Sequence, residues 1–294
     1  MLATPALLAQ TNDLDLIIRY VLAGLGHGIH AGRERGAGVE FSEYRAYAPG
    51  DEWRRVDWKL LARADRYYVR EAERDSHVAV WLWLDATASM AEPSLAMPNV
   101  DKLWYARTVL ACLAAVAQRQ GDAFGLVVLS NGRVSFTPAA RGPRQMHRVL
   151  AQLSKAEASG VLPPADTLRA SLHFARSPSL VFAVSDFLDF PSPMTEALLR
   201  LRHMQHDVRA LCLQTRAEVE AIFAVNKAYR DPEQGDGLYR FGPEAQAEYR
   251  LRRDEHFTAL KADWRKHDIR AQTACIEDPV ASVLRNWLRQ AGRP

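Results

Sequence analysis

The chain is 294 residues long, 48% hydrophobic and 25% charged, with a formal net charge of +3. That length holds one large domain with an appendage or two small ones, and the balance belongs to a chain that folds around a sizeable core, not to a disordered one. Lys and Arg are interspersed with Asp and Glu rather than gathered into a stripe, which argues against a dedicated nucleic-acid binder.

Three cysteines, Cys112, Cys212 and Cys275, lie far apart among apolar neighbours. An odd count without close Cys or His spacing gives neither a disulfide framework nor a zinc site, and the expectation is buried, reduced thiols in a reducing compartment. Residues 1–10 lack the basic start and apolar core of a signal peptide, and no apolar run approaches the ~20 residues of a membrane helix. A cytoplasmic protein with no membrane insertion is expected.

The first element is a helix capped by Asn12, with Asp13 and Asp15 in its first turn and Leu14, Ile17, Ile18, Val21, Leu22 and Leu25 on one face. Six glycines from Gly24 to Gly38 then break it. This run follows a helix, whereas a phosphate-cradling loop follows a strand and opens a helix. His27 and His30 within it have no carboxylate pair beside them, so a metal reading there is set aside. Residues 40–75 are dense in charge and aromatics, with a turn at Pro49-Gly50-Asp51 and the run Trp53-Arg-Arg-Val-Asp-Trp-Lys59. So polar a stretch builds no core of its own and should lie across a neighbouring domain. It is either a structural strap or a docking surface. Its basic residues, from Arg33 to Arg70, are nearly balanced by acids, so a nucleic-acid patch is not expected.

From residue 78 short apolar runs alternate with helical periodicity. Strands are predicted over residues 78–84, 123–130, 133–137, 180–184, 208–213 and 269–275. Helices are predicted over 101–120, 143–153 and 166–175, from Pro193 behind a Ser192 cap, over a long stretch bearing Tyr249, Phe257, Leu260 and Trp264, and after Asp278-Pro279. Asn131-Gly132 marks a hairpin, and the excursion 231–237 another. The pattern describes a mostly parallel sheet with helices on both faces, preceded by a helical and extended N-terminal segment. In such sheets ligands bind beyond the carboxyl ends of the strands, where strand order reverses.

At those ends stand Asp85-Ala-Thr87-Ala-Ser89 after the first strand and Ser185-Asp186 after a later one, with Asp166-Thr167 at a helix start. These groups offer hard oxygens only, the donor set of magnesium, manganese or calcium. The plainer alternative is that they cap their own loops through side chain to backbone hydrogen bonds.

Asp85-x-Thr87-x-Ser89 resembles the metal-ion-dependent adhesion site of von Willebrand factor A (VWA) domains. The resemblance implies a VWA-like (Rossmann-like) fold over residues 76–294, with residues 1–75 as an N-terminal helix and charged strap. It implies one divalent cation, most readily Mg2+ with Mn2+ or Ca2+ as alternatives. The ligands implied are Asp85, Thr87, Ser89 and Asp186, with either Asp166 or Thr167 from a second loop. Pro49-Gly50-Asp51-x-x-Arg54-x-x-Asp57-Trp58-Lys59 ahead of that domain is similar to the bacterial family known as domain of unknown function 58. That resemblance implies a non-catalytic protein-interaction module. It would act with a MoxR-type AAA+ ATPase in protein remodelling, complex maturation or stress response, and take an acidic side chain from a protein client. A metal-dependent hydrolase acting at the Asp85 loop is the rival reading; Ala86-Thr87 lacks the second acid that an Asp-x-Asp phosphoryl-transfer site would need.

Overall fold

The alternating apolar runs assemble into a six-stranded sheet. The computed structural model describes residues 4–11, 13–25, 43–47, 58, 60, 63, 67–71, 79–174, 177–222, 228–230, 233, 238–240 and 242–289. Asn12, His27, His30, the turn at 49–51 and most of 53–59 lie outside the described residues, as does most of the 231–237 excursion. The chain divides into two compact units, one formed by Met1–Ile29 with Val78–Pro294 and the other by His30–His77. In the smaller unit β1 (Glu43–Ala46) pairs antiparallel with β2 (Tyr68–Glu71).

The larger unit begins with α1 (Pro5–Leu8) and α2 (Leu14–Leu25), then β3 (Val80–Asp85), α3 (Lys102–Arg119), β4 (Phe124–Ser130) and β5 (Arg133–Ala140). It continues with α4 (Pro143–Lys155), α5 (Ala165–Ser171), β6 (Leu180–Ser185), α6 (Pro193–His203), β7 (Asp207–Gln214) and α7 (Arg216–Glu220). A two-stranded ribbon follows, β8 (Ala228–Arg230) antiparallel to β9 (Leu238–Arg240) across the predicted excursion. The chain closes with α8 (Pro243–Lys266), β10 (Arg270–Cys275) and α9 (Val280–Arg289).

Strand order is β10-β7-β6-β3-β4-β5, parallel throughout except for the edge strand β5. The β4–β5 hairpin turns on Asn131 and Gly132, both at positive φ, the conformation for which Asn-Gly is suited. β3 is buried at every position because it lies centrally with helices on both faces, which is why its sequence runs apolar without alternation. Its residues divide between two cores. Leu82 and Leu84 meet α2, α3, α4 and α9 through Ile17, Val109, Leu153 and Trp287. Trp81 and Trp83 share the opposite core with Leu198 of α6 and with Leu260 and Trp264 of α8.

The N-terminal helix thus belongs to the sheet unit. Its cap is Asp13, one residue beyond the expected Asn12; Asp13 Oδ1 accepts hydrogen bonds from the backbone N–H of Asp15 and Leu16. The Ser192 cap is as read, with a reciprocal Ser192–Thr195 capping box ahead of α6. Asp278 instead turns its carboxylate back to the Cys275 N–H and toward Arg216. Of the three thiols, Cys112 and Cys212 are buried and Cys275 is only half so. Among the described residues no helix is long and apolar enough to cross a membrane.

β3 has β4 on one side and β6 on the other, so the chain leaves β3 in one direction and returns across it. The gap beyond the C-terminal ends of β3 and β6 is therefore the switch point of the sheet.

Gly125 of β4 lies beneath the Trp81 indole, which stacks on Phe136 at 5.3 Å. A Cβ there would stand 2.4 Å from the indole and 2.8 Å from the Thr137 carbonyl oxygen. Gly125→Ala should lower unfolding free energy by about 1–3 kcal/mol in urea titrations, the usual cost of overpacking a rigid core; an unchanged midpoint would show that Trp81 moves aside freely.

Candidate functional site

Asp85 is the last residue of β3, and the parallel pairing of β3 with β6 sets it beside Ser185 at the corresponding strand end. Ser185 Oγ donates to Asp85 Oδ2 at 2.6 Å, and the Phe187 N–H donates to Ser185 Oγ at 2.9 Å. The other carboxylate oxygen, Asp85 Oδ1, accepts from the Thr87 N–H at 2.9 Å and from Thr87 Oγ1 at 2.8 Å. Thr87 Oγ1 lies 3.2 Å from Ser89 Oγ. Buried Ala86 and Met90 anchor the loop between these polar residues. It is also fastened from the segment following α4: the Ser159 N–H donates to the Ala86 carbonyl, and the Ala88 N–H donates to that of Gly160.

Asp186 follows Ser185 and is equally buried, and its Oδ2 accepts a 3.0 Å bond from Lys102 Nζ. The same ammonium donates to Glu218 Oε1 at 2.7 Å. Lys102, the first residue of α3, is 1% exposed. Burial by itself pulls its pKa down, but the charges of Asp186 and Glu218 more than offset that and raise it above the ordinary lysine value. Glu218 is fixed in turn, since its Oε2 accepts from the Thr215 N–H at 2.6 Å and from Thr215 Oγ1 at 3.1 Å in the capping box of α7.

The structure thus brings four of the six candidate residues together: Asp85, Thr87 and Ser89 from one loop and Asp186 from another. Asp166 and Thr167 stay outside the hydrogen-bonded cluster. Both are exposed on the first turn of α5, where Asp166 is 91% exposed and pairs with Arg169. The reason is helical phase: Leu168 is the residue of α5 that enters the core, and its two predecessors face away from it. The second loop contributes backbone at Ser159 and Gly160 instead. Lys102 and Glu218 were missed as site residues. Thr215-x-x-Glu218 is a legible capping box, but a lysine opening a helix gives no sign in sequence that it is buried.

Burial, and then the nearby charge of Asp186, push the Asp85 carboxyl from its ordinary 3.8 to about 7, against the hydrogen bonds from Ser185 and Thr87 that favour its ionised form. The Lys102 ammonium pairs with Asp186 and Glu218, whereas Asp85 is met by hydroxyl and backbone N–H donors and by the like charge of Asp186. Among the described residues no three His, Cys, Asp or Glu side chains gather to hold a metal ion, so a cation here would depend on hydroxyls. The oxygens fit one. Thr87 gives its proton to Asp85, leaving the Oγ1 lone pairs for an ion. The 2.8 and 3.2 Å spacings along Asp85, Thr87 and Ser89 are those of ordinary hydrogen bonds, and they lie near enough to the about 2.9 Å edge of an octahedron around magnesium that the same oxygens could turn toward one ion.

The raised pKa carries a definite sign. The folded state holds a proton on Asp85 that the unfolded chain releases, so stability is lost as pH rises from about 4 through about 7. Asp85→Asn should therefore raise the thermal midpoint in chelator at pH 8, with a gain that shrinks toward pH 4. Scanning calorimetry across that range reads it, and a constant or reversed difference would contradict the buried-anion account.

The chain is 28% identical over 234 residues to the uncharacterized protein Rv1480 of Mycobacterium tuberculosis, an alignment spanning 79% of this chain and 72% of that one. Among solved structures it is similar to the conserved hypothetical protein BatB of Bacteroides thetaiotaomicron, with TM-score 0.45, 12% identity, and coverage of 72% of this chain and 98% of that one. It is also similar to the SpRpn10 VWA domain, with TM-score 0.42, 8% identity, and coverage of 71% and 94%. Residues 43–257 match the family described as protein of unknown function DUF58, and the chain belongs to that family.

Proposed function

We propose that this chain is a non-catalytic protein-interaction module whose Asp85 loop docks an acidic side chain of a partner through one divalent cation, magnesium being the best match. The observation that carries the reading is the meeting of Asp85, Thr87, Ser89 and Asp186 at the switch point of the sheet, around a buried carboxylate with too little positive charge beside it. Asp85, Thr87 and Ser89 would hold the ion, which would supply an electrophilic centre for a partner carboxylate. An oxygen-only set suits a hard ion, and a shell poor in protein anions keeps the ion receptive to an incoming one. Both Asp85 oxygens are engaged by Thr87 and Ser185, an arrangement better suited to holding a loop than to nucleophilic attack.

The partner we propose is a MoxR-type AAA+ ATPase, with remodelling or maturation of an acidic protein client as the shared task and the cytoplasm as the setting. The resemblance of the Pro49 to Lys59 signature is what supports this part of the reading.

Magnesium or manganese should raise the thermal midpoint of the wild-type chain above its value in chelator, and Asp85→Ala should abolish that rise. In biolayer interferometry against the purified MoxR-type ATPase, affinity should fall at least roughly tenfold with chelator and equally with Asp85→Ala, as a lost charge-assisted contact requires. Affinity that survives both would keep the interaction and remove the metal from it. Turnover of p-nitrophenyl phosphate that disappears with Asp85→Ala would replace the whole reading with the hydrolase one.

A further inference from the structure

Lys102 stands in the site as a charge that the docking chemistry does not require. A lysine at the start of a helix ordinarily reaches solvent, and burying its ammonium costs several kcal/mol unless carboxylates meet it. Here Asp186 and Glu218 meet it at 3.0 and 2.7 Å, and both are held from elsewhere. Asp186 is placed by the strand end of β6, and its backbone carbonyl accepts from Cys212 Sγ. Glu218 is locked by Thr215. The Lys102 backbone N–H is itself tied to the Glu92 carbonyl, in the segment that leaves the Asp85 loop. The ammonium therefore has a fixed seat between the loop after β6 and α7, and its contact with Asp186 is built into the fold.

We infer that Lys102 is the site's resident cation: it commits the Asp186 carboxylate to an internal ion pair, so that an incoming metal ion is held by Asp85, Thr87 and Ser89 and keeps unspent positive charge for a partner's acidic side chain. This rests on the metal-dependent docking reading and adds the residue that tunes it. Lys102 is a positioning residue, acting on the ion only through Asp186 and through its own charge. A site with one available carboxylate binds a divalent ion less tightly than a site with two, since ligand charge count is a main determinant of affinity. Lysine here exchanges metal affinity in the free protein for receptivity to an anionic partner.

The test is isothermal titration calorimetry with magnesium chloride on the full chain. Lys102→Met, which keeps the length of the side chain without its charge, should bind magnesium roughly tenfold or more tighter than wild type, because Asp186 is released as a second anionic ligand. Structural damage would weaken binding, so a gain is specific to the inference. Equal or weaker binding by a cooperatively folded Lys102→Met would overturn it. Asp186→Asn gives a second, near-isosteric arm: it should leave wild-type magnesium affinity within about threefold, while a loss of about tenfold would show Asp186 to be a working ligand and overturn the inference. The two proposals fail separately. Magnesium binding by Lys102→Met but not by wild type would end the metal-dependent docking reading and leave the ammonium as the site's cation; absence of binding in both would end both.

Discussion

A single 2.6 Å hydrogen bond, Ser185 Oγ to Asp85 Oδ2, joins two positions one hundred residues apart in sequence. It ties the Asp85 loop to the end of β6, and it depends on β3 and β6 lying parallel and in register. Parallel neighbours end at the same height, so polar residues placed just after each strand necessarily meet. The apolar runs of β3 and β6 thus do more than fill a core. They hold the strand ends rigidly, so that a carboxylate can be kept buried at a cost that a flexible loop would relieve by turning outward.

The electrostatics follow from that rigidity. Asp85 is denied water by the packed strand end and by Ala86 and Met90, and its hydrogen bonds only partly compensate. Asp186 is also dry but has an ammonium. Two neighbouring carboxyl groups of similar burial therefore stand in different surroundings, one paired with an ammonium and one held by hydroxyl and backbone N–H donors with its pKa pushed up. That asymmetry comes from α3, which begins close enough to the strand ends for its first side chain to reach Asp186.

Much of this architecture was legible in the sequence, for identifiable reasons. Central strands buried on both faces read as unbroken apolar runs, as in residues 80–84 and 180–184. The hairpin at Asn131-Gly132 was legible because few residue pairs tolerate two consecutive positive φ values. Ser192-Pro193 announced a helix by its capping chemistry. The loop carrying Asp85, Thr87 and Ser89 was found because its polar residues immediately follow a strand. What sequence did not give was helical phase in short elements. α5 is seven residues long, and only its packing through Leu168 decides that Asp166 and Thr167 look outward. α7, five residues long, produces too little periodicity to notice, so Glu218 went unread beside its own capping box. The burial of Lys102 depends on partners from 84 and 116 residues away, which no local pattern encodes.

The stretch after α4 is fastened between two other parts of the chain. Its backbone is laced on both sides: the Asn131 and Gly132 N–H groups donate to the carbonyls of Ser159 and Val161, while Ser159 and Gly160 bond to the Asp85 loop. Gly160 sits at positive φ with its α-carbon so near Asn131 that a side chain would meet that residue at 2.7 Å. Those few residues therefore behave as a spacer of fixed gauge between the hairpin and the carboxylate loop. Adding or removing one would throw several backbone bonds out of step together, so any drift in chain length between α4 and α5 has to be absorbed on either side of the spacer and never within it.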